Sequence, residues 1–279
     1  MHRGSLAMAP PPKRPSLPLS FTLAFWAGWV DSYAVIQWKC FLGAISGNVI
    51  FVGEALSNSN FARALVLFVL FVGLEVGFIV GRIIHRHLRG GAGAALLFGL
   101  VVCALLLSDG LGVALRAGLS PELRAAAGSD FGAQPWQLAL PAFAMGLVSE
   151  FAEDVDGECM IQLITRALIV LGRGLLDPCT GRADQAPSRQ KMAHEAMRVA
   201  GYILAVASTV LWLRGPGFEW ALAPPAIIAL LVGAFFFMHG GVDGWVRGAR
   251  DASGADLQLL GSRVGPWGSR HAVQTPLRA

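Results

Sequence analysis

Long stretches of apolar residues constrain this chain more than any other feature of its sequence. Five runs of about 20 residues carry few or no charges, and a helix of about that length crosses a bilayer core about 30 Å thick. The runs cover residues 19–38, 62–84, 92–115, 194–213 and 220–238, and the stretch 137–153 is a sixth candidate. The pattern predicts an all-α, polytopic bundle of transmembrane helices.

Composition favours a membrane protein over the soluble classes. Hydrophobic residues make up 54% of the chain and charged residues 14%, whereas soluble domains carry about 25% charged residues. The cations behind the net charge of +4 flank the apolar runs and form no basic face interleaved with aromatic residues. We therefore expect the lipid bilayer as the surrounding medium and no nucleic-acid partner.

The sequence carries no motif of an enzyme, a metal site or a cofactor site. Its four cysteines lie far apart, with neither zinc-ligand spacing nor a disulfide framework. Phosphate-binding loops, dinucleotide fingerprints and HExxH motifs do not occur in the sequence. The segment AISG at 44–47 lacks the first glycine of the GxSG motif of intramembrane serine proteases. We therefore expect no catalysis, no cofactor and no bound metal.

Two shorter apolar pieces, 41–56 and 160–176, decide the predicted topology. If each piece crossed separately, Arg82, Arg86 and Arg89 would lie on the opposite side from the other basic segments. If each piece joins the run before it as one interrupted crossing, most of the 22 lysines and arginines collect on one side, as the positive-inside rule requires. We therefore predict six crossings, with both termini on the cytoplasmic side of the inner (plasma) membrane.

This topology divides the chain into two transmembrane repeats with polar segments around them. The leader and the tail are polar and rich in proline or glycine, so we expect both to be disordered. The predicted boundaries are 1–18 for a cytoplasmic leader, 19–115 for the first repeat, 116–135 for an external loop, 136–240 for the second repeat and 241–279 for a cytoplasmic tail.

The two halves are similar in sequence around their short apolar pieces. With one gap, the matched positions are Gly28 with Gly146, Ser46 with Thr165, and Gly53 with Gly172. Each half has three predicted crossings, an odd number, so the second half would enter the membrane from the opposite side. Such 3+3 inverted repeats are typical of secondary transporters, whose interrupted helices meet near the midplane.

Ionisable residues inside the apolar runs are candidates for an ion or substrate site, because a charge within a membrane needs a partner or a purpose. Asp31 lies well inside the first run and is predicted to bind a proton or cation, or to orient a substrate. The structural alternative is a pair with Lys39 or a backbone donor. Glu75, in the middle of 62–84, is a candidate proton-coupling carboxylate, and the alternative is a protonated side chain hydrogen-bonded between helices.

A short polar segment formed by Ser46, Gly47 and Asn48 interrupts the first short apolar piece. Glycine permits a helix break, and the serine and asparagine side chains can satisfy the freed backbone groups. The segment is therefore a candidate substrate-facing turn, with Thr165 as its partner in the second half. The alternative is helix capping and close packing.

Three further polar features have plainer interpretations. Asp109 lies nearer a helix end, where we expect it to be solvated. The acidic run 150–158 is expected to be a solvated loop in preference to a divalent-cation site. His239 is expected to lie at the interfacial end of the last helix.

Several short motifs occur in a defined order along the chain. They are GWVDSY at 28–33, SGN at 46–48, GEAL at 53–56, AFAMGL at 142–147 and LGRGLLD at 171–177. Their order and spacing resemble the bacterial YoaK family, also called DUF1275, over roughly residues 20–238. The resemblance implies a multi-pass membrane protein and brings no established activity with it.

The chain departs from the pattern of that family mainly in its second half. Ser46 replaces a threonine in the first turn, which keeps the hydroxyl. Val148 and Ser149 replace glutamine and asparagine, and Arg166 replaces the glycine that follows Thr165. A symmetric site, if the family has one, is altered here.

The leading interpretation is a secondary transporter that moves an unidentified small solute or ion by alternating access. The alternative is a non-transporting membrane scaffold or sensor, in which Asp31, Glu75 and the Ser46 turn serve packing. The altered residues of the second half favour that alternative. A homo-oligomer is compatible with either function.

Overall fold

The computed structural model describes residues 17–43, 45–88, 90–118, 135–156, 163–176, 187–214 and 220–241. Within these ranges the chain forms eight α-helices and no strand. They are α1 (Leu17–Trp38), α2 (Ile45–Ser57), α3 (Phe61–His87), α4 (Gly91–Gly118), α5 (Pro135–Asp156), α6 (Leu163–Leu176), α7 (Arg189–Arg214) and α8 (Ala223–Met238). Residues 1–16 of the predicted disordered leader, most of the external loop and the tail beyond residue 241 lie outside the described residues, whereas Leu17 and Pro18 already belong to α1.

Four of the described helices, α1, α3, α4 and α7, are long and apolar enough to cross a membrane. This confirms the all-α class, and the four apolar helices indicate a membrane-embedded protein. Helix α5 has the length of α1 but ends in several acidic residues, and α8 is an apolar helix of 16 residues. The six crossings therefore remain a prediction, because α5 and α8 would have to supply the other two.

The chain breaks after α1 at the place where the sequence predicts an interruption. Helix α1 continues to Trp38, and Lys39 then adopts a left-handed backbone conformation with φ of 53°. The first short apolar piece becomes the separate helix α2. In the second half, α5 and α6 are likewise separate helices, and residues 157–162 between them lie outside the described range.

Glycines bring the backbones of two helix pairs close together. Helix α3 packs along α5 so closely that a Cβ on Gly73 would lie 2.7 Å from the Ala139 carbonyl oxygen. Helix α1 packs along α7 in the same way, and a Cβ on Gly201 would lie 2.7 Å from the Phe21 carbonyl oxygen. Small residues permit such close packing where lipid gives no hydrophobic drive for helix association.

Helix α8 closes the bundle through α1 and α4. Trp26 and Trp29 on α1 donate hydrogen bonds from Nε1 to the carbonyl oxygens of Pro225 and Ala221, each at 3.0 Å. The ring of Phe151 on α5 contacts Phe98 on α4 and Phe236 on α8 edge-to-face, with centroids 4.9 Å apart in both cases. These rings belong to a buried apolar core to which α1 and α3 also contribute side chains.

The Trp26 hydrogen bond provides a direct test of the packing between α1 and α8. Trp26→Phe keeps an aromatic ring in a site that is 2% exposed but removes the indole N–H that donates to the Pro225 carbonyl. We expect a loss of about 1 to 2 kcal/mol, seen as a lower melting temperature in detergent. Trp212→Phe is the matched control because its hydrogen bond to the Trp220 carbonyl is exposed and 3.4 Å long. Equal losses for both variants would contradict this assignment.

Candidate functional site

Asp31 is the centre of a buried polar site in the first half. Its Oδ1 accepts hydrogen bonds from the backbone N–H groups of Leu42 at 2.6 Å and Gly43 at 3.0 Å. Its Oδ2 accepts a hydrogen bond of 2.7 Å from the hydroxyl of Tyr202 on α7. One carboxyl group thus joins α1, α7 and the segment that leads to α2.

The segment after α1 folds back along that helix to reach Asp31. Helix α1 continues for two turns beyond Asp31, to Trp38, before the chain turns. Because those two turns rise about 11 Å, Leu42 and Gly43 must lie deeper in the bundle than the end of α1. The segment 39–43 is therefore re-entrant. Its backbone N–H groups at Leu42 and Gly43 donate to the carboxyl group of Asp31.

Asn48 on α2 also holds the re-entrant segment 39–43, through the backbone of Phe41. Its Oδ1 accepts a hydrogen bond of 2.9 Å from the backbone N–H of Phe41, and its Nδ2 donates to the carbonyl oxygen of the same residue. Asn48 is fully buried in the first turns of α2. The pair of bonds replaces the backbone partners that Phe41 loses where the helix is broken.

The other residues of the predicted turn are placed only in part. Ser46 and Gly47 lie in the first turn of α2, and Thr165 lies in the first turn of α6. The side chains of Ser46 and Thr165 are outside the described residues. The structure thus brings Asn48 and Asp31 to one segment through Phe41, Leu42 and Gly43, and the predicted contact between Ser46 and Thr165 stays a prediction.

Glu75 does not belong to this site. Helix α3 buries Gly73 and Gly77 against α5, whereas Glu75 is exposed on the outward side of the helix. The alternative of a hydrogen bond between helices is not met either, since no donor among the described residues reaches its carboxyl group. A role for Glu75 must be sought at the lipid-facing surface.

Two plain interpretations of acidic residues need correction. Asp109 is 3% exposed and accepts a hydrogen bond of 2.6 Å from the backbone N–H of Leu222, just before α8, so the expectation of a solvated side chain is wrong. Glu150, the first residue of the acidic run, lies on α5 and is 7% exposed. Its two carboxylate oxygens accept from Nε and Nη2 of Arg82 on α3, at 3.0 and 3.2 Å. Both acids therefore join helices.

Two polar contacts were not foreseen from the sequence. Tyr202, the donor to Asp31, is separated from it by 171 positions, and the one available signal was a tyrosine inside an apolar run. Arg198, near the start of α7, is buried and pairs with Glu195 at 2.9 Å within the same helix. A spacing of three residues on one helix face could have indicated this second pair.

At the ends of the bundle the expected position of His239 is found, whereas the possible pair of Lys39 with Asp31 is not. His239 lies just beyond α8, is exposed and stacks on Phe235. Lys39 is exposed and is not the partner of Asp31. Its carbonyl oxygen instead accepts from Nη2 of Arg63 near the start of α3, at 3.2 Å. The end of α1 and the start of α3 therefore lie at the same level.

Comparison with protein-family models identifies the family of this chain. The model of a family described as "Protein of unknown function (DUF1275)" matches residues 19–235. Searches of curated proteins and of solved structures found no match. The matched region contains α2 to α7 and almost all of α1 and α8, including Asp31, Asn48 and Tyr202. The chain therefore belongs to the DUF1275 family.

Proposed function

We propose that this protein is a secondary transporter of a small solute or ion, built as a 3+3 inverted repeat in the inner membrane with both termini cytoplasmic. The observation that carries the proposal is the site at Asp31, where a buried carboxyl group holds a re-entrant segment and a second helix through exchangeable hydrogen bonds. Broken helices that meet at a polar group inside the membrane are the usual construction of a transporter site.

Matching contacts in the two halves support a repeat. The contact of Gly146 with the carbonyl oxygen of Leu74 has its counterpart in the contact of Gly28 with that of Tyr202. Likewise, Gly73 approaches Ala139 as Gly201 approaches Phe21. In both contacts the residue number in α5 exceeds that of its counterpart in α1 by the same amount, and the same is true of α7 and α3. Helices α5 and α7 thus repeat α1 and α3 in register, a correspondence that extends the sequence alignment to the third helix of each half.

The directions of the helices support an inversion. Trp26 and Trp29 bond to Pro225 and Ala221 in reverse order, so α1 and α8 are antiparallel. The same order reversal relates α4 to α8, where Gly91 lies near Phe237 and Asp109 bonds to Leu222. It also relates α4 to α5, where Phe98 contacts Phe151 and Ser108 bonds to Gln137. Because α1 is antiparallel to α8, α8 to α4, and α4 to α5, helices α1 and α5 have opposite directions.

The repeat carries its carboxyl site in the first half alone. Ser149 occupies the position in α5 that Asp31 occupies in α1, and Leu74 on α3 corresponds to Tyr202 on α7. The Ser149 hydroxyl is fully buried and has no hydrogen-bond partner among the described residues. The proposed transporter therefore binds its ion or solute asymmetrically, at Asp31.

The proposed mechanism is an exchange of donors at Asp31. A proton, a cation or a donor group of the solute competes with Tyr202 and with the backbone N–H groups of Leu42 and Gly43 for the two carboxylate oxygens. Release of Tyr202 frees α7 from α1, and release of the backbone donors frees the re-entrant segment. Because the two events share one carboxyl group, ligand binding and helix movement are coupled, as alternating access requires.

The test is ion flux into proteoliposomes that contain the purified protein and the pH-sensitive dye pyranine. A step in external pH, sodium concentration or potassium concentration is applied, with and without each member of a panel of small solutes. The step that produces flux identifies the driving gradient. Asp31→Asn is then expected to reduce flux to the protein-free rate, because the amide binds no proton or cation there. Tyr202→Phe should shift the ligand concentration for half-maximal flux, because it removes one competing donor.

Asp109→Asn is the matched control for this experiment. Asp109 is equally buried and also accepts a backbone N–H bond, but it lies away from the re-entrant segment. We expect it to lower the melting temperature and leave flux per folded molecule unchanged. Parental flux in Asp31→Asn together with lowered stability would refute the transport role of Asp31.

One observation favours a non-transporting scaffold or sensor as a second candidate. The hydrogen bonds from Leu42, Gly43 and Tyr202 already engage both carboxylate oxygens of Asp31. In that case Asp31 fastens a broken helix and nothing passes the site. Absence of flux under every gradient, with thermal stabilisation of the protein by one of the tested solutes, would favour a sensor.

A further inference from the structure

The outward face of α3 carries a carboxyl group at the depth where lipid is least able to receive it. Helix α3 has 27 residues, and Glu75 is close to its midpoint. Its neighbours on that face are large apolar side chains with exposed fractions of 60% at Phe68, 45% at Val72 and 57% at Ile79. These residues and Glu75 recur at alternating spacings of four and three, so they form one continuous stripe along the outward face of α3.

No part of the described chain can satisfy this carboxyl group. The inner face of α3, with Gly73, Gly77 and Gly81, already packs on α5, so α3 cannot rotate Glu75 inward without breaking that contact. No donor among the described residues reaches it. Among the described residues of the long helices, Glu75 is the one carboxyl that is exposed far from a helix end.

A hydrocarbon environment offers no hydrogen-bond partner, and ionisable side chains in membrane helices therefore face a protein partner or a water-filled cavity. A second copy of this chain is the partner that fits best. In a two-fold dimer with its axis along the membrane normal, the two α3 helices are parallel and each residue meets its own counterpart at the same depth. A carboxyl group can both donate and accept when protonated, so two of them satisfy each other.

We propose that the outward face of α3, from Leu65 to Ile79, is the interface of a symmetric homodimer in which the two Glu75 carboxyl groups hydrogen-bond across the two-fold axis. The flanking Phe68, Val72 and Ile79 then pack against the same residues of the second copy. The interface uses the face opposite to the contact between α3 and α5. It leaves the Asp31 site untouched, and the dimer does not depend on the proposed transport.

The first test is disulfide cross-linking in native membranes, in a background whose cysteines other than the buried Cys40 are alanine. Single cysteines at Val72 and Ile79 are expected to form cross-linked dimers. Leu211→Cys on α7 and Leu230→Cys on α8 are matched controls, since both positions are lipid-facing and more than half exposed. Cross-linking no stronger at Val72 and Ile79 than at the controls would overturn the proposal.

The second test concerns the carboxyl group itself. Glu75→Leu should greatly reduce the cross-linking and shift the protein from two copies to one in light scattering of the detergent-solubilised, purified chain. Glu75→Gln should retain the dimer, because an amide also donates and accepts. The melting temperature of the Glu75→Leu monomer reports whether this variant is folded. The first test does not depend on it, because the cysteine variants used there retain Glu75. A dimer that persists in Glu75→Leu, or cross-links to a different protein, would contradict the assignment.

Discussion

Replacing Gly77 with leucine is expected to destabilise this protein more than any other single substitution considered for its helix contacts. A Cβ at Gly77 would run into the carbonyl oxygen of Phe143 and would lie 3.0 Å from the Cα of Gly146. Both obstacles are backbone atoms of α5, so the helices would have to separate. We expect a loss of about 3 kcal/mol, measured as a large drop in melting temperature or in folded yield.

The matched control is the same substitution at Gly99. It also lies within a long apolar helix, α4, but a Cβ there meets nothing within 4 Å. Gly99→Leu should therefore keep the parental melting temperature, since leucine is favoured over glycine in a helix. If both variants lost stability to the same degree, close packing between α3 and α5 could not be the cause.

Replacing Asp31 with alanine is expected to have an effect of similar size. The change leaves two backbone N–H groups, of Leu42 and Gly43, and the hydroxyl of Tyr202 without their acceptor. Each buried donor without a partner costs about 1 to 3 kcal/mol, and partial relaxation of the segment 39–43 reduces the total. We expect a loss of about 3 kcal/mol, measured by thermal unfolding in detergent.

Asparagine at the same position separates geometry from charge. Its Oδ1 can still accept from Leu42 and Gly43, and the Tyr202 hydroxyl can rotate to accept from the amide. Asp31→Asn should therefore lose much less stability than Asp31→Ala while still failing in the flux assay. Equal stability of the alanine variant and the parent would mean that Asp31 does not hold the re-entrant segment.

The pattern of apolar runs was sufficient to predict the class of this protein and the approximate positions of its helices. A run of about 20 apolar residues has few alternatives to a helix where no water can hydrogen-bond its backbone. The break after Trp38 was also predictable, because an apolar stretch from 19 to 56 is too long for a single crossing. Asp31 and Asn48 were identified for the same reason, as polar groups in apolar sequence.

The partners of these polar groups were predictable only in part. Asp31 was expected to pair with Lys39 or a backbone donor, and it receives Tyr202 from the other half of the chain together with two N–H groups of the returning segment. Asp109 was expected in solvent and instead bonds to Leu222. Hydropathy reports how deep a residue lies in a membrane, but it carries little information about which helices meet at that depth.

Glu75 illustrates the limit most clearly. Its depth followed from its place in the run 62–84, and its cost in the membrane followed from its charge. Whether it faced the bundle or the lipid depended on which side of α3 packs on α5. The glycines at 73, 77 and 81 decided that side, because together with Gly146 on α5 they allow the two helices to approach closely.

Membrane insertion, the helical class and the membership of polar residues in buried segments are properties of local composition, and the amino-acid sequence alone specifies them. The tertiary structure decides which of those residues form a site, since hydrogen bonds and close contacts act over a few ångströms between helices far apart in the chain. That short range unites Asp31 with Tyr202 and the re-entrant segment, and it leaves Glu75 on the outside.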